Sequence, residues 1–135
     1  GIYEGLCDIA IINNYYFGKL KYSEDPVQRE WAKSMRLTFP NQGEGDRGAH
    51  INISGGGVAK HSKNKESAIK LLEFLSNSKS QKMYSEINFE YPVNVKVEPS
   101  EELVSWGNFR EDKISIEKIA QLSIDAQKII DRVGW

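Results

Sequence analysis

Cysteine is almost absent: Cys7 is the only one in 135 residues, so no internal disulfide can staple the chain, and the redox compartment is left open. At the mouth of an apolar stretch, Cys7 is expected to be a buried, inert thiol. Long hydrophobic runs are also missing; nothing approaches the roughly 18 consecutive apolar residues of a membrane-spanning helix. Neither sign of charge dominates, with 18 Lys+Arg against 19 Asp+Glu and a net charge of -1, which removes the basic footprint of a nucleic-acid binder. Catalytic signatures are equally scarce. There is no G-x-S-x-G, no Cys/His pair with an orienting group and no recognisable carboxylate pair. The two histidines, His50 and His61, stand in no zinc-ligand spacing and read as surface residues. The glycines of "SGGG" at Ser54–Gly57 lack the Lys-Ser/Thr ending of a phosphate-binding loop, and read as a bent or flexible strand. The opening "GIYEGLCDIAII" has no initiator Met, charged n-region or apolar h-region, so the sequence reads as part of a longer or processed chain.

What is present alternates between strand-like and helix-like patterns. Asp8–Ile12 is continuously apolar after its first residue and rich in β-branched side chains, as expected of a strand covered on both faces. Asn13 and Asn14 end it; an asparagine oxygen there is expected to cap a short helix or turn from Tyr15 to about Tyr22. Pro26 opens a second helix that should turn Val27, Trp31 and Ala32 inward. Arg36–Pro40 is a short strand candidate, "NQGEGDRG" a loop, and Ala49–Lys60 a strand broken by Gly55–Gly57. The strongest helix runs from Lys65 to about Asn77, with Asn64 as a plausible cap, and another from about Ser80 to Ile87. "FEYPVN" begins a proline-marked extended connection through Pro99, and an apolar stripe through Ile119, Leu122, Ala126, Ile129 and Val133 marks a last helix stopped by Gly134. Alternating strands and helices predict an α/β layer architecture, with a sheet too small to be complete.

The chemistry concentrates in "IINNYYFG". In a regular strand Tyr15 and Tyr16 would point to opposite faces. At a strand-to-helix turn the backbone is not pleated, and both phenols can converge beyond the carboxyl end of a strand, where open α/β sheets bind ligands. The amides of the helix start favour anionic oxygen there. A phenol ordinarily ionises near pH ~10, but a bound multivalent cation makes phenolate its resting state. Hard oxygen donors without thiolate or clustered imidazole suit a hard cation, and phenolate suits Fe(III). By spacing alone, packing is the commoner role of adjacent tyrosines.

Four stretches, taken together, resemble the C-terminal portion of periplasmic ferric-iron-binding proteins, the solute-binding components of iron(III) ABC importers. They are "CDIAIINNYYFGKL", the stretch from "NQGEGDRGAHINISGGGVAKHSKNKES" through "LLEFLSNSKSQKMYSE", "EYPVN", and the closing "LSIDAQKIIDRVGW". The resemblance implies the C-terminal part of a two-lobe, class II periplasmic-binding-protein-like fold. Residues 1–40 would belong to the tyrosine-bearing lobe, 41–88 would cross to the other lobe, and 89–135 would return. It implies that Tyr15 and Tyr16 bind Fe(III) through phenolate oxygens. Asn13 matches an asparagine that helps hold a synergistic anion such as carbonate or phosphate in those members that use one. His50 and His61 match no ligand position of the family.

The function implied is non-catalytic: binding Fe(III) in the periplasm, or extracytoplasmically on a lipid anchor in a Gram-positive cell, and delivery to the permease of an inner-membrane ABC importer. With the other lobe's ligands outside these residues, the chain would hold half a site. Two rival readings stay open at this point. One keeps the fold and changes the solute to a polyamine, a thiamine-like cation or a small anion. The other is a protein-interaction module. An enzyme using either tyrosine as general acid lacks a base to pair with it.

Overall fold

The computed structural model describes all residues, Gly1–Trp135. Six α-helices follow one another: α1 (Asn14–Lys21), α2 (Pro26–Lys33), α3 (Lys65–Ser76), α4 (Ser78–Met83), α5 (Glu101–Ser105) and α6 (Ile116–Val133), with a π-helical turn at Tyr84–Asn88 directly after α4. The chain divides into two compact units, one made of Gly1–Thr38 with Asn52–Asn108, the other of Phe39–Ile51 with Phe109–Trp135.

In the first unit the helix starts follow local chemistry. Asp25 accepts the Val27 N–H at 2.8 Å ahead of Pro26, the position where a missing N–H costs nothing. Of the three α2 residues expected inside, only Ala32 is buried; Val27 is 52% and Trp31 38% exposed. Asn64 sits at the start of α3 without a side-chain cap bond. Asn77 separates α3 from α4 and caps the latter, its Oδ1 accepting from Ser80 N at 2.9 Å. The expected helix over Ser80–Ile87 therefore begins two residues earlier and loosens into the π turn, a rare geometry. That turn ends at Phe89, whose φ of 58° is left-handed, an uncommon state for a bulky residue. Helix α5 was not foreseen. Ser100 caps it by accepting from Leu103 N, with Glu101 and Glu102 in its first turn.

The core of this unit is small. Leu103 and Ser85 are fully enclosed, and Phe89 is 7% exposed. Ser85 Oγ accepts from Ser100 N at 2.7 Å, and Ser100 Oγ donates to Ser85 O at 3.0 Å, which ties the π turn to the start of α5.

The second unit is a loop wrapped around one side chain. Arg110 Nη2 donates to the carbonyls of Asn41 (3.4 Å), Gly43 (2.8 Å) and Asp46 (2.8 Å), filling the turn of "NQGEGDRG". Gly48 has φ +97°, and a Cβ on it would fall 2.5 Å from Glu111 O, so only glycine fits this crossing. Phe39 stacks on Phe109 with centroids 4.1 Å apart. Helix α6 starts at the Ser115 cap and ends at Gly134 with φ 70°, as its sequence dictates, yet none of its residues is buried.

The expected sheet is not formed by these residues. Asp8–Ile12, Arg36–Pro40 and Ala49–Lys60 form no strand ladder, and the one β-bridge is a parallel contact between Ala49 and Glu111. A strand is held by a hydrogen-bonding neighbour, and beyond Ala49 this chain pairs none with these segments. Ile9 and Ile11 are accordingly 84% and 82% exposed where burial on both faces was expected, and Cys7 is exposed with them.

Candidate functional site

Helix α1 begins directly after the extended apolar segment, and the change of direction at Asn13 decides where the tyrosines go. Asn13 occupies the cap position with extended dihedrals, but its side chain makes no cap bond. It acts instead on the phenol of Tyr15, favouring its ionised form. The backbone closes its first turn through Tyr16 N to Asn13 O at 3.1 Å. On this first turn the rings of Tyr15 and Tyr16 converge, their centroids 4.3 Å apart and their planes inclined by 41°.

The two phenols are electrostatically unequal. Tyr16 is placed to donate to Tyr15, and this bond, with that from Asn13, holds the Tyr15 phenol below its ordinary ionisation range. The Lys19 ammonium, 5.2 Å from the centroid of the Tyr15 ring and one turn further along α1, acts in the same direction. The Glu90 carboxylate opposes it. Tyr16 is displaced upward, first because its proton is engaged with Tyr15 and then by the charge Tyr15 would carry. The pair thus behaves as one diphenol with an easy first proton and a harder second.

No group of three or more His, Cys, Asp or Glu side chains converges anywhere in the chain. A hollow of about 610 Å³ is lined by residues including Lys19, Tyr22, Phe89 and Glu102; neither Tyr15 nor Tyr16 lines it. Tyr16 is 50% exposed, so the pair stands on open surface.

Behind the pair, α1 packs on Phe89. Asn14 Nδ2 donates to Phe89 O at 3.1 Å. Gly18 is buried against the ring, where an added Cβ would meet Phe89 Cγ at 2.4 Å. Tyr22 stacks on that ring at 5.5 Å, and Trp106 lies 6.2 Å away. The far end of α1 is held by Glu102. Its carboxylate accepts from Lys21 Nζ at 2.7 and 2.8 Å, from Tyr22 Oη at 2.7 Å and from Trp106 Nε1 at 2.8 Å. Burial pushes the Glu102 carboxyl up, but these donors outweigh it and hold it below the usual range. The sequence reading passed over Gly18, Lys19, Phe89 and Glu102, and gave Asn14 no role beyond ending the strand or capping the helix. Only Lys19, one helical turn after Tyr15, carried a readable signal.

The site gathers two phenol rings at the start of a helix. The chain belongs to the bacterial extracellular solute-binding protein family, which matches residues 15–111. It is 40% identical over 132 residues to Iron uptake protein A1 of Synechocystis, covering 98% of this chain and 36% of that protein. Among solved structures it superposes on the Mannheimia haemolytica ferric iron-binding protein A in an open conformation with a TM-score of 0.86 and 45% identity, over 98% of this chain and 40% of that one. The Trichodesmium protein IdiA (FutA), solved with iron and citrate ligands, gives a TM-score of 0.89 and 43% identity over 99% of this chain and 42% of that one. The chain therefore spans about two-fifths of the length of these relatives.

Proposed function

We propose that this chain supplies a bidentate phenolate pair for Fe(III), as part of the periplasmic solute-binding component of an iron(III) ABC importer with a class II binding-protein fold. The observation that carries the reading is the convergence of Tyr15 and Tyr16 within 4.3 Å on a helix start, with Tyr15 already biased toward ionisation. The names and structures of the relatives support iron as the solute.

The chemistry follows from the inequality of the two phenols. The pair gives up a first proton more readily than a second. The charge of Fe(III) then overcomes the upward displacement of Tyr16, so that two Fe–O bonds form and two protons leave. Binding of ferric ion is cargo capture with no catalytic turnover. The Asn13 amide has two N–H donors, so serving Tyr15 leaves one for a synergistic anion such as carbonate or phosphate. Two phenolates fill only part of an iron coordination shell. In the whole protein the remaining donors come from the other lobe or from an anion, so closure depends on the metal, and the closed form is what the permease receives.

The test uses Fe(III)–nitrilotriacetate, a chelate that leaves adjacent coordination positions for two phenolates. The 135-residue chain is expected to bind it weakly and to develop a visible phenolate-to-iron charge-transfer band, lost in Tyr15→Phe/Tyr16→Phe. An unchanged band in that double variant refutes the reading.

A further inference from the structure

A phenolate pair is useful to a metal only if both oxygens are presented at a fixed separation, and side-chain rotamers set on a freely tilting helix would not do this. In this chain the start of α1 is fixed from an unexpected side. Phe89 holds a left-handed backbone conformation that L side chains rarely adopt, at the exit of a π-helical turn. Its carbonyl, directed by that conformation, receives the Asn14 amide at 3.1 Å, and Asn14 is the residue immediately before Tyr15. Its ring, 7% exposed, lies so close to α1 that Gly18 has no room for a Cβ. The next residue, Glu90, returns to Tyr84 through its N–H at 3.3 Å, which closes the turn.

We propose that Asn14 is a positioning residue of the phenolate pair: by tying the first turn of α1 to the strained carbonyl of Phe89, with Gly18 seated on the Phe89 ring, it sets the direction in which Tyr15 and Tyr16 point. The proposal rests on the reading of the two tyrosines as iron ligands. Asn14 does not touch the metal in this scheme; it acts through the backbone of the helix start. The strain at Phe89 is kept because the contact it makes fixes that start.

The experiment compares variants of the 135-residue chain by titration with Fe(III)–nitrilotriacetate, reading both affinity and the energy and intensity of the charge-transfer band, with thermal melts alongside. Asn14→Ala removes the donor, and Asn14→Leu removes it while keeping the bulk. Both are expected to weaken binding about tenfold, the scale of a lost partner behind a metal ligand, and to shift the band. Gly18→Ala, which pushes α1 off the ring, is a separate route to the same displacement and is expected to shift the band likewise. Glu102→Gln is the comparison for stability alone, since it loosens the far end of α1; it should lower the melting temperature and leave the band in place. Wild-type affinity and band in both Asn14 variants, with the band still lost in Tyr15→Phe/Tyr16→Phe, would overturn the positioning role and leave the iron site standing. A Glu102→Gln variant that loses affinity in the same proportion to its melting temperature as the Asn14 variants would also overturn it. If the band survives the double tyrosine variant, the site and the positioning role fall together.

Discussion

The two ends of α1 are built on opposite plans. At its C-terminal end, Lys21 and Tyr22 are tied to one carboxylate, Glu102, which also takes the Trp106 indole N–H, so that a charged group with a side chain only 10% exposed has every bond it needs. At its N-terminal end, two phenols stand on open surface with each other and Asn13 as partners. One end spends its polar groups on holding the fold. The other keeps them available. Between the two ends, α1 rests on the Phe89 ring at Gly18.

That contrast can be broken in graded steps. Phe89→Ala should have the largest effect, because it empties the site on which Gly18, Tyr22 and Trp106 all pack; a loss of about 3–5 kcal/mol is expected, measured by chemical denaturation. Glu102→Ala strands the Trp106 N–H and two further donors, and should cost about 1–3 kcal/mol by the same measurement, with the tyrosine pair unaffected. The pH response is smaller and has a defined sign. The Glu102 carboxyl ionises below its ordinary value of 4.5 in the folded chain, so its contribution is fully present above that value and is lost as pH falls through the lower, folded one. Melts taken across the acid range should therefore decline more steeply for the parent chain than for Glu102→Gln. The smallest effect belongs to Lys19→Met. Removing the ammonium above the Tyr15 ring should raise the first phenol ionisation slightly in an ultraviolet pH titration, without a measurable change in stability.

Much of this was legible in the sequence where the governing interactions are local. Pro26 behind Asp25, the apolar period of α3, and Ser115 and Gly134 at the ends of α6 each placed a helix to within a residue or two. Ser100 followed by two acids announced α5 equally well and was not read as a helix start. The strands failed for a different reason: their residue types favour extension, but pairing requires a neighbour that sequence pattern cannot supply. For the tyrosines, the spacing could pose the question of convergence but not answer it. The answer depended on Asn13 forgoing its cap bond and on the direction in which α1 leaves. Phe89 and Gly18 were out of reach, because a left-handed phenylalanine and a glycine that is small for the sake of a distant ring both express tertiary contacts.

The central claim is that both phenolic oxygens bind one ferric ion. Resonance Raman spectra of the chain with Fe(III)–nitrilotriacetate, excited within the visible band, test it most directly. The account predicts enhanced tyrosinate ring modes that weaken in Tyr15→Phe and in Tyr16→Phe and vanish when both are replaced. Spectra without tyrosinate modes, or with modes untouched by either substitution, would contradict it.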